Sequence, residues 1–339
     1  MKAANQGVEN ARDWQPEQNF PKAVDALRSA RRVLVTMHRS PDGDALGSTL
    51  GLAAALREMG REVVVYNPDP PPYNLSFLPG ATAIVRTLGP DEAFDATVVC
   101  DAGAAHRLGP DVPPAPRRGI FVNLDHHLTT DPFGDVNYVD PHAAAVGVLV
   151  YKLIHALGGT VSRDAAIGIY VSILTDTGSF KYSSTDPECL RIAAELVAAG
   201  VSPWDVYSRI YEQQPLARLK LLADVLTTLW TSPSGKFASL LITRAMVERT
   251  GTSEDLTDGF INHARSIDGV EVAASFSEPL DGGDEWRVSF RSRGNVNVAS
   301  VAQRFGGGGH HNAAGCTVRG DYQAVREAIG AAVDAALGA

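Results

Sequence analysis

The stretch HRSPDGDALGS (residues 38–48) follows the apolar run Val33-Leu34-Val35-Thr36-Met37. A tight turn needs one Asp or Gly, not a histidine and two aspartates, Asp42 and Asp44, one residue apart. Like charges held that close repel unless something positive lies between them. Three further features end apolar or helical stretches in the same half of the chain: Asp101, the triplet Asp125-His126-His127, and Asp176 in TDTGS. Carboxylates and imidazoles without thiolates suit hard or borderline divalent ions such as Mn²⁺ and Mg²⁺. The set is large enough for two ions with one carboxylate shared. Two metals roughly 3.5–4 Å apart are a recurrent design for phosphoester hydrolysis. Each piece alone also has a structural reading: a Pro-Asp-Gly-Asp turn, an Asp101 cap, an Asp176 that ends a helix, a histidine satisfied in a core.

The elements that must position these groups are read from hydrophobic periodicity. VLVTMH (33–38), EVVVYN (62–67), TAIVRTL (82–88), ATVVCD (96–101) and IFVNLDHH (120–127) read as strands, and Ala45–Met59 as a helix stopped at Gly60. Short Val/Ile-rich runs separated by helices predict a mostly parallel sheet with helices on both faces. Every charged cluster falls at a carboxyl strand end or a helix end, where open α/β sheets place their ligands. Residues 143–157, 165–177 and 187–200 continue as helices, and 203–230 reads as a helical connector. A smaller α/β unit begins at FASLLIT (237–243), with a hairpin formed by 270–278 and 285–292, a short helix, the run GGGGHHNAAG (306–315) and a last helix over 321–337. The expected division is a catalytic domain over 20–200, a connector over 201–235 and a second domain over 236–339.

The chain has 339 residues, 45% hydrophobic and 20% charged, with a formal net charge of −9. This composition fits a globular protein with a sizeable core. The acidic balance argues against gripping long duplex nucleic acid, whose binders are usually basic. Three cysteines without a CxxC pair argue against a disulfide framework or zinc-thiolate site. The first residues lack a signal-peptide apolar core, and no run is long enough to span a membrane, so a cytoplasmic enzyme is expected.

Taken in order, these motifs resemble the DHH phosphoesterase superfamily. His38, Asp42 and Asp44 match its H-x-x-x-D-x-D motif, Asp101 its strand-ending Asp, Asp125-His126-His127 the triplet that names it, and Asp176 its Asp after a helix. The second half resembles the DHHA1 domain through Arg291-Ser292 and through Gly306–His310 with Ala313-Ala314-Gly315. The resemblance implies two divalent ions, Mn²⁺ before Mg²⁺ or Co²⁺. His38, Asp42 and Asp101 would hold one; Asp44, Asp101, His126 and Asp176 would hold the other. It implies that Asp125 orients a ligand histidine and that His127 faces the scissile phosphate. Arg291, Ser292, Gly307, Gly308, Gly309 and His310 would clamp a nucleotide or phosphate. Arg293 and His311 are secondary candidates for the same clamp, and Phe180 and Tyr182 read as core or rim residues, with stacking on a base as the alternative.

Longer exonucleases of the family carry an additional OB-type domain, and its membrane-bound phosphodiesterases carry transmembrane segments; neither feature is expected here. The compact two-domain members act on short oligoribonucleotides and often on 3′-phosphoadenosine 5′-phosphate. The resemblance therefore implies a short RNA or nucleotide substrate, hydrolysed to mononucleotides, and a homodimer. A phosphatase of small metabolites, a cyclic-dinucleotide phosphodiesterase and a non-catalytic nucleotide sensor remain as alternatives. PHAAAVG (141–147) departs from the pattern: it holds Ala and Val where relatives often place Ser or Thr.

Overall fold

The computed structural model describes residues 14–279, 282–294 and 296–338. The chain folds as two compact units that divide at Gln213/Gln214.

The first unit opens with α1 (Pro16–Arg28), which buries Ala23, Val24 and Leu27. Then follow β1 (Arg32–Met37), α2 (Gly43–Glu58), β2 (Glu62–Tyr66), β3 (Ala96–Cys100), β4 (Ile120–Asp125) and β5 (Val136–Val139). After these come α3 (Val146–Ala156), α4 (Arg163–Asp176), α5 (Pro187–Ala198) and α6 (Pro203–Tyr207), with a π turn over Ser208–Glu212. The strands form one all-parallel sheet in the order β2-β1-β3-β4-β5. Because side chains alternate along a strand, Val33, Val35 and Met37 of β1 join the main core with α1 to α5. Leu34 faces the other way, against Tyr66 and Phe94. On that second face Val99 and Phe121 pack with Leu108, just after the 3₁₀ turn Ala105–Arg107.

Residues 82–88 differ from the expected strand. Only Ala81 and Ile84 are buried there, a spacing of three rather than two, and the chain forms a 3₁₀ turn over Ala81–Ala83. An isolated bridge, Tyr66 to Val85, pairs the segment with the sheet. The fifth strand is instead β5, which the sequence reading passed over.

The second unit contains α7 (Leu216–Leu226), β6 (Trp230–Thr231), β7 (Phe237–Ile242), α8 (Arg244–Thr250), α9 (Ile261–Arg265), β8 (Val272–Ser277) and β9 (Glu285–Ser292). It ends with α10 (Val298–Gln303), β10 (Gly308–His310), β11 (Ala313–Arg319) and α11 (Tyr322–Leu337). Its mixed sheet runs β10-β11-β9-β8-β7-β6; β8 and β9 are antiparallel neighbours, as the hairpin pattern predicts. Phe237, Val288 and Phe290 pack on one face with Val301 and Ile329. Leu240 and Ala273 pack on the other with Leu221, Val225 and Phe260. Residues 201–235 are thus not one element: Val206 and Ile210 belong to the first core, Leu221 and Val225 to the second.

Candidate metal centre

The carboxyl ends of β1, β3 and β4, with the N-terminus of α2 and the C-terminus of α4, bring His38, Asp42, Asp44, Asp101, His126, His127 and Asp176 together in the first unit. Three groups of donors have their ligand atoms within 4.8 Å of one another: His38, Asp42 and Asp101; Asp44, His126 and Asp176; and Asp101, His126 and His127.

Each histidine is oriented by its own second nitrogen. His38 directs Nδ1 to the carbonyl of Arg39 at 2.7 Å, which makes Nδ1 the donor and leaves the Nε2 lone pair free. Nε2 lies 3.9 Å from Asp42 Oδ1 and 3.8 Å from Asp101 Oδ2. His126 uses Nδ1 on the carbonyl of Ala143 at 3.0 Å. Its Nε2 lies 3.5 Å from both Asp44 Oδ2 and Asp176 Oδ2, and 3.9 Å from Asp101 Oδ1. A carbonyl or carboxylate on the remote nitrogen is the usual support for a metal-binding imidazole.

These gaps are too long for hydrogen bonds and suit a cation between the donors. Two ligands each about 2.1 Å from an ion lie about 3.0–3.5 Å apart for angles between octahedral and tetrahedral. The donors stand at or slightly beyond that spacing. Asp101 gives a second indication: it is 2% exposed, and its Oδ1 is buried without a hydrogen-bond partner, a state that costs several kcal/mol for an isolated charge. Its backbone has φ +59°, a left-handed conformation unusual for a residue with a Cβ. The strained turn faces Asp101 toward both other donor groups, and such strain gathers at functional sites. The donor set and the orphaned oxygen fit hard or borderline divalent ions.

Electrostatics in the ion-free protein agree. Burial, then the neighbouring Asp176 charge, pushes the Asp44 carboxyl up to about 7. Burial likewise pushes Asp176 up to about 6, with His126 opposing the shift. Asp101 is raised well above the carboxylate range by burial and by Asp44, Asp42 and Asp125. Carboxylates held this way resist ionising unless a cation joins them.

Asp125 behaves differently. Burial works against its charge, but His127, Thr130 and backbone N–H groups outweigh it and hold the carboxyl at about 2. Oδ1 accepts from His127 Nδ1 at 2.7 Å and from the His126 N–H at 2.8 Å. Oδ2 accepts from Thr130 Oγ1 at 2.5 Å and the Gly103 N–H at 3.0 Å. The Asp125 carboxylate therefore orients the His127 ring, while a backbone carbonyl fixes that of His126. The arrangement leaves His127 with an oriented ring and its Nε2 unengaged by Asp125, fit to exchange a proton with an oxygen.

Asp44 has partners that sequence reading missed. Ser172 Oγ donates to Oδ1 at 2.6 Å and the Val146 N–H to Oδ2 at 2.9 Å. Ser172 lies one helical turn before Asp176, an i, i+4 spacing that could have flagged it. The departure at 141–147 is explained too: Ala143 and Val146 act through backbone groups, which any side chain supplies. Behind Asp44, α2 and α4 approach closely. A Cβ at Gly47 would sit 2.4 Å from the Gly168 carbonyl oxygen, and one at Gly168 2.6 Å from that of Gly47. Phe180 packs on the core, and Tyr182 is exposed.

The residues expected to clamp a nucleotide lie in the second unit. Arg291 is half-buried and donates to the Phe290 carbonyl. Ser292 departs from expectation: it is 3% exposed and its hydroxyl donates to the Val296 carbonyl at 2.7 Å, tying down a loop rather than facing a ligand. The alternation of β9 explains this, since adjacent residues point to opposite faces. Gly307 and Gly309 have a packing role. A Cβ there would fall 2.1 Å from the Gly315 oxygen and 2.5 Å from the Ala313 oxygen. At Gly308 a Cβ would meet nothing within 4 Å. The His310 backbone pairs with Ala313; its side chain lies outside the described residues. His311 Nδ1 contacts Asn312 Oδ1. A cavity of about 400 Å³ beside the glycines is lined by Arg287, Ser289, Phe305, Gly307 and Thr317, among others.

Among the described residues no helix is long and apolar enough to cross a membrane. A family model described as the DHH family, N-terminal domain, matches residues 32–200, and one described as the DHHA1 domain matches 238–339. The bifunctional oligoribonuclease and PAP phosphatase NrnA of Thermus thermophilus is 36% identical over 326 residues, 94% of each chain. The protein of the same description from Bacillus subtilis is 30% identical over 291 residues, 84% of this chain and 89% of its own. The crystal structure of an exopolyphosphatase-related protein from Bacteroides fragilis superposes with a TM-score of 0.86 at 27% identity, covering 94% of this chain and 96% of that one. The chain thus belongs to the DHH family of phosphoesterases, with a DHHA1 domain as its second half, and is a phosphoester hydrolase.

Proposed function

We propose that this enzyme hydrolyses short oligoribonucleotides to mononucleotides with two divalent ions, Mn²⁺ foremost, and that it also converts 3′-phosphoadenosine 5′-phosphate to AMP. The observation that carries the reading is the position of Asp101, which shares a donor group with His38 and Asp42 through Oδ2 and lies 3.9 Å from His126 Nε2 through Oδ1. His38, Asp42 and Asp101 would hold one ion; Asp44, Asp101, His126 and Asp176 would hold the second. Bound there, the ions would supply Lewis acidity to the phosphoryl oxygens and acidify a water.

The protein's own groups do the rest. Ser172 and the Val146 N–H fix both oxygens of Asp44. The Arg39 and Ala143 carbonyls accept from Nδ1 of His38 and His126 and so aim each Nε2 at the carboxylates. His127, held by Asp125, donates a proton to the leaving oxygen. In the second unit Arg291, with the glycine run and His310, would bind a phosphate of the nucleotide, since a planar guanidinium matches phosphate. The net charge of −9 favours short substrates over long polymers. The relatives named as oligoribonuclease and PAP phosphatase support the substrate class. Cytoplasmic action as a homodimer completes the reading.

The test is hydrolysis by metal-stripped protein, with and without Mn²⁺, of a 5′-phosphorylated diribonucleotide, 3′-phosphoadenosine 5′-phosphate and long single-stranded DNA. Mn²⁺-dependent cleavage of the first two, with little attack on the DNA, is expected. Release of the 3′-phosphate alone would make the enzyme a metabolite phosphatase and overturn the RNA role.

A further inference from the structure

A second polar cavity of about 390 Å³ lies on the loops that follow the donors His38 and Asp101 and is lined by Arg39, Ser40, Asp69 and Arg107. Arg39 directly follows the donor His38, and Arg107 follows Asp101 on the next loop. The Arg39 N–H donates to the Arg107 carbonyl at 2.8 Å, which joins the two loops.

The backbone beneath is fixed. Asn67, fully buried, donates through Nδ2 to the His38 carbonyl at 2.8 Å and accepts the Asp69 N–H at 2.9 Å. Asp69 in turn accepts the Ser40 N–H at 2.8 Å, holding Ser40 at φ +52°. Arg107 Nη1 donates to the Ala102 carbonyl at 3.2 Å. It comes within 3.6 Å of where a Cβ on Gly103 would stand, a point 3.9 Å from Asp125 Oδ2.

Elsewhere in this unit, arginines such as Arg32 and Arg118 pair with carboxylates within 4 Å. Arg39 and Arg107 make no such pair among the described residues, although Asp69 shares their cavity. Two guanidinium groups against one carboxylate leave a local positive charge on an acidic protein. It sits on a scaffold held by buried hydrogen bonds, beside a cluster built for phosphoryl chemistry. Bidentate recognition of phosphate is what planar guanidinium groups do best.

We propose that the Arg39–Arg107 cavity binds a non-scissile phosphate of the substrate, the one next along the chain from the phosphate under attack. This deepens, and rests on, the oligoribonucleotide reading. The cavity gives the first unit its own specificity device: substrates carrying a neighbouring phosphate are held more tightly, while the chemistry at the attacked phosphorus is unchanged.

The experiment compares wild type, Arg39→Ala, Arg107→Ala and the double variant on two substrates with Mn²⁺. One is a 5′-phosphorylated triribonucleotide, whose first internucleotide linkage has a phosphate on either side; the other is bis(p-nitrophenyl) phosphate, which has only the scissile one. KM for the triribonucleotide should rise about 10- to 100-fold in the double variant with kcat within about twofold, consistent with loss of charge-assisted hydrogen bonds. In Arg107→Ala the parameters for bis(p-nitrophenyl) phosphate should not move. Binding of the triribonucleotide to metal-free protein should weaken in parallel, and the slope of log K against log salt should shrink by about 1 per arginine. An unchanged KM, affinity and salt slope would overturn the proposal. An equal loss of kcat on both substrates, with melting temperature unchanged, would also overturn it, by placing the arginines at the attacked phosphate or the metal cluster. If wild type cleaves neither substrate, the functional reading fails, and the metal-free binding comparison still decides the cavity.

Discussion

Replacing Gly47 by Ala tests how the helices of the first unit set the metal centre. A Cβ at this position lies 2.4 Å from the Gly168 carbonyl oxygen and 2.8 Å from the Ser172 nitrogen. Ordinary contact begins near 3.4 Å, so α2 and α4 must separate by about 1 Å. Both neighbours are backbone atoms of a packed helix and cannot rotate away. Overpacking of this kind costs about 1–3 kcal/mol, against a gain of about 1 kcal/mol from the better helix propensity of Ala. The same shift pulls Ser172 from Asp44, now at 2.6 Å, and moves Asp176 on α4 relative to Asp44 on α2. A misplacement of about 1 Å in a catalytic constellation costs on the order of 10²-fold in rate. The expected result is a melting temperature lower by up to roughly 8 °C, weaker Mn²⁺ binding and turnover down about 100-fold. Gly330→Ala in α11 is the control: its Cβ meets only Phe237, at 4.0 Å, so stability should rise slightly and activity should not change. Wild-type melting and turnover in Gly47→Ala would refute the argument that close helix approach positions Asp44.

Three other outcomes follow from the site. Ser172→Ala removes the donor to Asp44 Oδ1; Mn²⁺ affinity should drop about 10- to 100-fold in titrations monitored by electron paramagnetic resonance, and an unchanged affinity would show that the bond is incidental. Asp125→Asn keeps the shape but loses the charge that orients His127, so kcat should fall much more than KM rises, with Mn²⁺ stoichiometry retained. In chelated protein, Asp44 and Asp176 titrate at about 7 and about 6, above their unfolded values near 4. The folded state then binds more protons between those limits, so this contribution is fully present below about pH 4 and is lost as pH rises to 7. Chemical denaturation of the chelated protein should show stability falling over that window, and Mn²⁺ should restore it at pH 7 with release of protons. A pH-independent difference between the two forms would contradict the assignment.

What the sequence made legible was the part written in side-chain identity. His38, Asp42, Asp44, Asp101, His126 and Asp176 all end strands or helices, and the parallel sheet gathers such ends at one edge. What escaped was written in the backbone. The Ala143 carbonyl and the Val146 N–H have no residue signature, so the supports of His126 and Asp44 could not be read from PHAAAVG. The left-handed turn at Asp101 is equally silent in sequence. Ser172, four residues before Asp176 on α4, and the glycines at 43, 47 and 51 on α2 did carry a signal, a four-residue spacing that places each set on one face of its own helix. Residues 82–88 misled because Val and Ile are common to strands and to 3₁₀ turns, and only the burial of Ala81 and Ile84 at a spacing of three separates the two. Ser292 was grouped with Arg291 by adjacency, although neighbours in a strand face opposite ways.

The central claim is that Asp101 joins two divalent ions in one centre. Titrating metal-free protein with Mn²⁺ and recording electron paramagnetic resonance tests it without any substrate. The account predicts two ions per chain and a spin-coupled spectrum, with Asp101→Asn losing the coupling and at least one ion. A single uncoupled Mn²⁺ per chain in the wild-type protein would contradict it.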